Sequence, residues 1–109
     1  MKGALAEIQR LKTRAAAVGV QGNREYNPGW HTALDLTHLL TVSEAITRSA
    51  MERKESRGGH FRDDYPDKSD EFARFNHTIT KGADGEMRLE RALIPPMPEH
   101  LKAVVEEMK

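Results

Sequence analysis

A stretch of 26 residues between two turn signals constrains the fold of this chain more than any other feature. It covers residues 32–57, after Asn27-Pro28-Gly29 and before Gly58-Gly59. Apolar and small residues recur through it at helical spacing, at Leu36, Leu39, Leu40, Ser43, Ile46, Thr47 and Ala50. This pattern predicts a long helix, capped at its start by Thr32 or Asp35 and at its end by the glycine pair. Arg53, Lys54 and Arg57 would then lie near the negative end of the helix dipole.

Shorter elements flank this helix. Residues 4–18 carry Leu5, Ile8, Leu11 and Ala15 at helical spacing, which predicts a first helix. Residues 74–94 alternate apolar and polar residues around the turn 82–85, which predicts a β-hairpin. Residues 98–108 follow a proline-rich spacer and predict a short terminal helix. The sequence therefore predicts a mainly α fold: an antiparallel helix pair (an incomplete helical bundle), then a small β-hairpin and a short C-terminal helix.

These elements divide into two parts of a single domain. Residues 1–73 form the helical bundle segment, and residues 74–109 form an extension made of the hairpin and the terminal helix. Two helices and a hairpin leave much of each apolar stripe uncovered. Two interpretations stay open at this point: a segment shaped to lie against something larger or against itself, and a complete but loosely packed small domain.

Composition excludes several classes of function. Lys plus Arg and Asp plus Glu both number 17, so charge does not favour binding to nucleic acid. The sequence contains no cysteine, which excludes disulfides and cysteine ligation of zinc or of iron–sulfur clusters by these residues. The longest apolar run is Ala15-Ala16-Ala17-Val18, which is far too short to insert into a membrane.

The densest cluster of polar chemistry lies between residues 53 and 62. It combines guanidinium, carboxylate and imidazole side chains beside a glycine pair, and its candidate contact residues are Arg53, Glu55, Arg57, His60 and Arg62. Arginines bind carboxylates and phosphates bidentately, so the cluster fits an anion or cofactor contact. It also fits a helix end whose charges join it to a neighbouring loop or domain, and composition alone favours this second interpretation.

No residue is predicted to be catalytic, to bind a cofactor or to bind a metal. His31 and His38 are seven residues apart, whereas a metal-binding pair on a helix needs a spacing of three or four. The aspartates at 63, 64, 67 and 70 lack the alternating ligands and central glycine of a calcium loop.

Residues 53–67, read as Arg-Lys-Glu-Ser-Arg-Gly-Gly-His-Phe-Arg-Asp-Asp-Tyr-Pro-Asp, resemble the signature of succinate dehydrogenase and fumarate reductase flavoproteins. The resemblance extends back through Tyr26-Asn27 and residues 33–50, and forward through Phe75-Asn76-His77 and Asp84-Gly85 to Lys109. L-aspartate oxidase carries a similar stretch, but the long tail looks more like the succinate/fumarate branch.

The resemblance implies a C-terminal structural domain of a flavoprotein subunit that interconverts succinate and fumarate with FAD. The flavin-linked and substrate-binding residues of that family lie in preceding domains, so this chain alone is expected to bind no cofactor and to be inactive. The implied partners are the N-terminal flavin domain and the iron–sulfur subunit, and the implied location is the cytoplasm, peripheral on the inner face of the cell membrane through the parent complex. The alternatives are a stand-alone interaction module derived from this family and the C-terminal domain of L-aspartate oxidase.

The family also has a helix before the one beginning near Ala4. Without that helix Leu5, Ile8 and Leu11 are expected to be exposed, and a homo-oligomer could form through this face.

Overall fold

The computed structural model describes residues 1–108 and has the mainly α architecture predicted from the sequence. Helix α1 covers Lys2–Ala15 and helix α2 covers Pro28–Glu52. A single turn of 3-10 helix, Phe72–Arg74, leads into strand β1 at Phe75–Lys81, which pairs with strand β2 at Met87–Leu93. Helix α3 covers Glu99–Glu107. The molecule is elongated, with principal extents of 62 × 33 × 29 Å. Within residues 1–108, every helix is too short or too polar to cross a membrane.

Helices α1 and α2 form the predicted antiparallel pair. The end of α1, at Ala15, lies beside Leu40 in the middle of α2, and the first residues of α1 lie beside Met51 near the end of α2. Leu5, Ile8 and Leu11 are half-buried rather than exposed. The expectation that α1 presents an uncovered apolar face is therefore wrong, because α2 itself covers most of that face.

A buried carboxylate joins the two helices. Glu44 of α2 is 2% exposed and accepts hydrogen bonds from Lys12 of α1 and from Arg48 one turn further along α2, the latter at 2.7 Å. Burial alone would raise the pKa of Glu44, but the bonds from Lys12 and Arg48 outweigh it and lower that pKa below its ordinary value. The negative charge is thus stable between the helices.

Helix α2 carries a row of uncovered apolar residues. Leu40 is buried and Leu36 half-buried on the side that faces α1, whereas Leu39, Val42 and Ile46 are 62%, 56% and 64% exposed. We call these three residues the α2 outer face. The predicted single stripe included Leu39 and Ile46, so it combined residues from two different sides of the helix.

Helix α2 begins four residues before Thr32. Asn27 takes the N-cap position, where its side-chain oxygen accepts from the Trp30 amide at 3.3 Å, and Pro28 follows at the first helical position. The Asn27 amide group also donates to the carbonyls of Gln21 and Asn23, both at 2.9 Å. Thr32 and Asp35 are consequently inside the helix, and the predicted cap at either of them is wrong.

Helix α2 also ends earlier than predicted, at Glu52 rather than at residue 57. The Arg62 guanidinium donates to the carbonyls of Ala50, Met51 and Arg53 at 3.1, 2.9 and 3.3 Å, and so binds the groups that further helical turns would have used. Arg53 is already extended, with φ −78° and ψ 97°. The glycine pair therefore does not cap the helix, and no basic residue lies in its last turn.

The hairpin forms where it was predicted. Its register pairs Phe75 with Leu93 and Lys81 with Met87. Its turn is closed by a hydrogen bond from the Gly82 amide to the Glu86 carbonyl at 2.8 Å, and Gly85 adopts a positive φ of 83°. Phe72 and Phe75, 6% and 5% exposed, pack together with ring centroids 5.2 Å apart and make the main apolar core at the base of the hairpin.

Helix α3 keeps its apolar side exposed. Leu101, Val104 and Val105 are each between 43% and 49% exposed, and no residue of this helix is buried. The helix is thus an appendage of the hairpin and contributes little to the core of the described chain.

Candidate functional site

The polar cluster predicted between residues 53 and 62 folds into a loop that packs against the end of α2 and the start of the hairpin. Glu55 lies at its centre and is completely buried. Its carboxylate accepts hydrogen bonds from Arg53, from Arg57 Nε at 3.0 and 3.1 Å, and from the Ser69 amide at 2.8 Å. Two arginines and one backbone amide therefore compensate one buried negative charge.

The two arginines extend this network into the following segment. Arg53 donates to the carbonyls of Phe72 and Phe75 at 3.0 and 2.9 Å, and its guanidinium lies 5.8 and 5.9 Å from the centroids of their rings. Arg57 donates to the Ser69 carbonyl at 3.0 Å. Glu55 thereby holds the helix end, the loop and the first strand together.

The glycine pair forms a tight turn inside the loop. The backbone groups of Arg57 and His60 exchange hydrogen bonds at 2.8 and 3.0 Å across Gly58 and Gly59. Gly58 has a φ of 58°, which favours glycine over residues with a side chain. The turn brings His60 Nε2 to 3.1 Å from the Arg53 carbonyl.

Ser56 stabilises the second half of the loop through hydrogen bonds. Its hydroxyl accepts from the Arg62 amide at 2.9 Å and donates to the Tyr65 carbonyl at 2.8 Å. Its own amide donates to the Asp67 carbonyl at 3.0 Å. A small hydroxyl side chain, 8% exposed, thus satisfies backbone groups that the loop would otherwise bury without partners.

Arg62 is held in place by Asp64. Its guanidinium, 8% exposed, donates to both carboxylate oxygens of Asp64 at 2.9 and 2.5 Å and lies 4.6 Å from the ring centroid of Tyr65. This bidentate bond from Arg62 lowers the pKa of Asp64. The same guanidinium therefore pairs with an acid on one side and caps α2 on the other.

The charge state of the loop follows from these contacts. The hydrogen bond from Arg57, supported by those from the Ser69 amide and Arg53, lowers the pKa of Glu55 from its ordinary 4.5 to about 2, although burial opposes the change. The same bond to Glu55 raises the pKa of Arg57. Glu55 and Arg57 are therefore both charged at neutral pH.

All five sequence-predicted contact residues come together in this loop, although Arg62 pairs with Asp64 and the others with Glu55 or the helix end. Sequence reasoning missed Ser69, the carbonyls of Phe72 and Phe75, and Arg91, which donates to Glu52 at 2.7 Å and lies 4.6 Å from the ring centroid of Phe75. Backbone acceptors leave no signal in a sequence. The apolar alternation that predicted β2 gave no indication of the partners of Arg91.

The side chains of this loop bond mainly to groups of the same chain. Within the described residues, the arginines of the loop donate to carboxylates and carbonyls of the same chain. No three His, Asp or Glu side chains among residues 1–108 are grouped so that they could hold a metal ion. Through these bonds the side chains fix the backbone between α2 and β1.

A helix pair with an attached hairpin, joined by a loop of mutually paired charges, defines a small, mainly α domain. The chain belongs to the family described as the fumarate reductase flavoprotein C-terminal part, whose family model matches residues 1–107. It is similar to a fumarate reductase flavoprotein subunit of Mycobacterium tuberculosis, with 34% identity over 87 residues, which cover 79% of this chain and 15% of that protein.

Two other relatives represent the branches of the family. A succinate dehydrogenase flavoprotein subunit of Coxiella burnetii is 38% identical over 71 residues, covering 64% of this chain and 12% of that protein. An L-aspartate oxidase of Yersinia pestis is 62% identical over 34 residues, covering 31% of this chain and 6% of that protein. The chain thus spans less than one sixth of the length of each of these relatives.

The arginines of the loop are largely engaged within the chain. The guanidinium groups of Arg53, Arg57 and Arg62 donate to Glu55, Asp64 and backbone carbonyls, whereas a flavin dinucleotide needs free donors for its phosphates. We therefore assign no contact with a flavin to these residues.

Proposed function

We propose that this chain is the C-terminal structural segment of a flavoprotein subunit that interconverts succinate and fumarate with FAD held by the rest of the subunit. The observation that carries the proposal is the family match over residues 1–107, combined with a loop whose charges are paired within the chain. A segment with these properties contributes shape and rigidity, while the substrate and the flavin are bound elsewhere.

The proposal includes the partners of the segment. It supports the flavin-binding part of the same subunit and helps to position an iron–sulfur subunit, through which the complex lies on the inner face of the cell membrane. Residues 1–73 and 74–109 act as two parts of one domain in this role. Alone, the chain neither binds FAD nor turns over a dicarboxylate.

Direct interdomain contact by Arg53, Glu55, Arg57, His60 and Arg62 stays a prediction. Glu55 and Arg62 are buried within the chain, whereas Arg57 and His60 are half-buried and retain accessible atoms. We therefore expect Arg57 and His60 to be the members of this set that reach another domain.

A replacement subunit tests the proposal. The 87 matched residues of the Mycobacterium tuberculosis relative are exchanged for the corresponding residues of this chain, and the purified protein is assayed for bound flavin and for flavin reduction by succinate. We expect flavin to be retained and reduced. A replacement subunit that loses its flavin, although the 109-residue chain itself folds, would contradict the proposal.

L-aspartate oxidase is the second candidate, and the 62% identity over 34 residues favours it locally. The matches to fumarate reductase and succinate dehydrogenase subunits extend over 87 and 71 residues, so the succinate/fumarate branch accounts for more of the chain. Exchanging the same residues into the Yersinia pestis enzyme separates the two candidates. Higher flavin retention and L-aspartate oxidation there than in the fumarate reductase background would favour the oxidase.

A further inference from the structure

The middle of α2 has the composition of a helix that is buried on every side. Residues 36–47 contain a single charged residue, Glu44, whereas charged residues make up 31% of the whole chain. Glu44 is buried beside α1 and does not reach the opposite side. Over three turns the outer side of α2 therefore carries no charge, which is typical of a helix inside a larger protein.

The part of the chain that the structure describes does not cover this side. Leu39, Val42 and Ile46, the α2 outer face, recur at spacings of three and four residues and are all more than half exposed. Helix α1 packs on the other side of α2, and the hairpin reaches only its edge. Three exposed aliphatic side chains in one row, on a chain this polar, mark a surface that other protein covers.

The edge between α2 and the hairpin opens into a cavity of about 410 Å³. One wall is small and aliphatic, with Ala45, Ile46 and Ala50 from α2 and Ile79 from β1, and Ser49, Arg53 and His60 complete the lining. His77 of β1 also lines it, and its Nε2 is buried with no hydrogen-bond partner among residues 1–108. Burial, and secondarily the positive charge of Arg53, lowers the pKa of His77, so the imidazole is neutral at pH 7. The cavity thus has an apolar wall and one unsatisfied polar atom.

We propose that the α2 outer face and this cavity together form the surface against which the remaining polypeptide of the flavoprotein subunit packs. This inference rests on the proposed function. The occupant follows from length: the 87 matched residues are 15% of the Mycobacterium tuberculosis relative, so most of such a subunit lies outside the described chain. A covalently continuous partner is also present at a high effective concentration.

The chemistry of the occupant follows from the lining. An aliphatic or aromatic side chain enters the cavity between Ala45 and Ile79, and a backbone or hydroxyl group beside it hydrogen-bonds to His77. Further aliphatic side chains lie along Leu39, Val42 and Ile46. The loop around Glu55 then forms the border of the contact rather than its centre.

The test places a charge on the outer face and compares two proteins. Ile46→Asp and Val42→Asp are made in the 109-residue chain and in the replacement subunit described above. Thr37→Asp is the matched control, because Thr37 is an exposed α2 residue near the α1 side of the helix. Melting is followed by circular dichroism for the chain, and flavin release by fluorescence for the subunit.

We expect the outer-face variants to leave the melting temperature of the chain almost unchanged, because these side chains are already exposed. In the replacement subunit the same changes bury a carboxylate against apolar protein and should accelerate flavin release by about tenfold or more. Thr37→Asp should change neither measurement appreciably.

Four results would overturn the inference, and only the last of them would also overturn the proposed function. An equal loss of stability in the chain alone would mean that its own segments, such as α3, close over the face. A dimer of the chain that dissociates on Ile46→Asp would identify a second copy as the occupant. Unchanged flavin release in a competent replacement subunit would show that the rest of the protein packs elsewhere, with the proposed function intact. A replacement subunit that retains no flavin even without substitutions would overturn both proposals.

Discussion

At the scale of single residues, one buried carboxylate determines how the segment after α2 is organised. Glu55 is the only side chain among the described residues that is both large and completely buried. It is tolerated there because Arg53, Arg57 and the Ser69 amide all donate to it. Removing the charge would leave two guanidinium groups without their carboxylate partner, which is more destabilising than losing the pair as a unit.

The stability of the chain should therefore decrease at acidic pH. The pKa of Glu55 is lowered from 4.5 to about 2 in the folded state, so its contribution is complete above about pH 5 and is lost as the pH falls towards about 2. Glu55→Gln should lower the melting temperature at pH 7 by roughly 5–10 °C and should flatten its decline between these pH values. Melting curves at closely spaced pH values measure both effects.

Glu7→Gln is the control for this change. Glu7 also pairs with an arginine, Arg10, but both side chains are at least half exposed, and such pairs contribute little. A pH profile of Glu55→Gln that superimposes on that of the unsubstituted chain would contradict the assignment of Glu55 as the acid-sensitive group.

The glycine pair allows a comparison between adjacent positions. A Cβ at Gly58 or at Gly59 would meet no atom within 4 Å, but only Gly58 has a positive φ. Gly58→Ala should therefore destabilise the chain by about 1 kcal/mol through backbone strain alone, while Gly59→Ala should be nearly neutral. Denaturant titrations of the two variants measure the difference, and equal effects would argue against the tight turn.

At the scale of elements, the sequence predicted which elements exist better than where they end. Helical periodicity identified α1 and α2, and alternation identified the hairpin, because apolar spacing reflects the local period of the backbone. The end of α2 could not be predicted, because it depends on Arg62. This residue lies ten positions beyond Glu52, the last residue of the helix, and reaches back to the carbonyls at the helix end. The predicted stripe on α2 likewise could not reveal that α1 covers only one side of it.

The sequence identified the residues of the candidate site but not the groups to which they bond. Arg53, Glu55, Arg57, His60 and Arg62 were identified from the density of charge in one run. Their partners were not, because most of them are backbone groups such as the carbonyls of Phe72 and Ser69. Contacts of that kind follow from the path of the chain and have no characteristic residue type.

The pairing of α1 with α2 gives an element-scale prediction. Glu44→Leu should destabilise the chain, because it leaves Lys12 and Arg48 beside a buried apolar group. Both cations are about one third exposed, so we expect a loss of about 1–2 kcal/mol, below the 3–5 kcal/mol of a fully buried pair. Denaturant titration measures it.

The companion experiment uses a triple variant that combines Lys12→Met, Glu44→Leu and Arg48→Met. It removes the unpaired charges and should recover most of the lost stability. A triple variant that is less stable than Glu44→Leu would mean that the ion pairs themselves stabilise the helix pair.

At the scale of the whole molecule, the described chain has few buried apolar side chains for its length. Leu40, Phe72 and Phe75 are the apolar residues that the structure buries, and Leu40 lies apart from the other two. Other contacts that stabilise the fold are the ion pairs and the hydrogen bonds to carbonyls around Glu55, Arg62 and Arg91. A molecule built in this way has a small margin of stability, and it gains most from being covered by further protein.

The aromatic pair at the base of the hairpin should therefore control the folding of the entire chain. Phe72→Ala or Phe75→Ala removes a buried ring from a two-ring core and also removes the surface over which Arg53 and Arg91 lie. We expect a loss of about 3–5 kcal/mol for either change, which is a large share of the stability of any domain of this size. Phe61→Ala, at a ring that is 70% exposed, should cost little. Amide hydrogen exchange across α2 and β1 distinguishes a loss of stability of the whole chain from a loss confined to the hairpin. If Phe75→Ala accelerates exchange only within the hairpin and leaves α2 protected, the hairpin and the helix pair are independent units rather than parts of one cooperative fold.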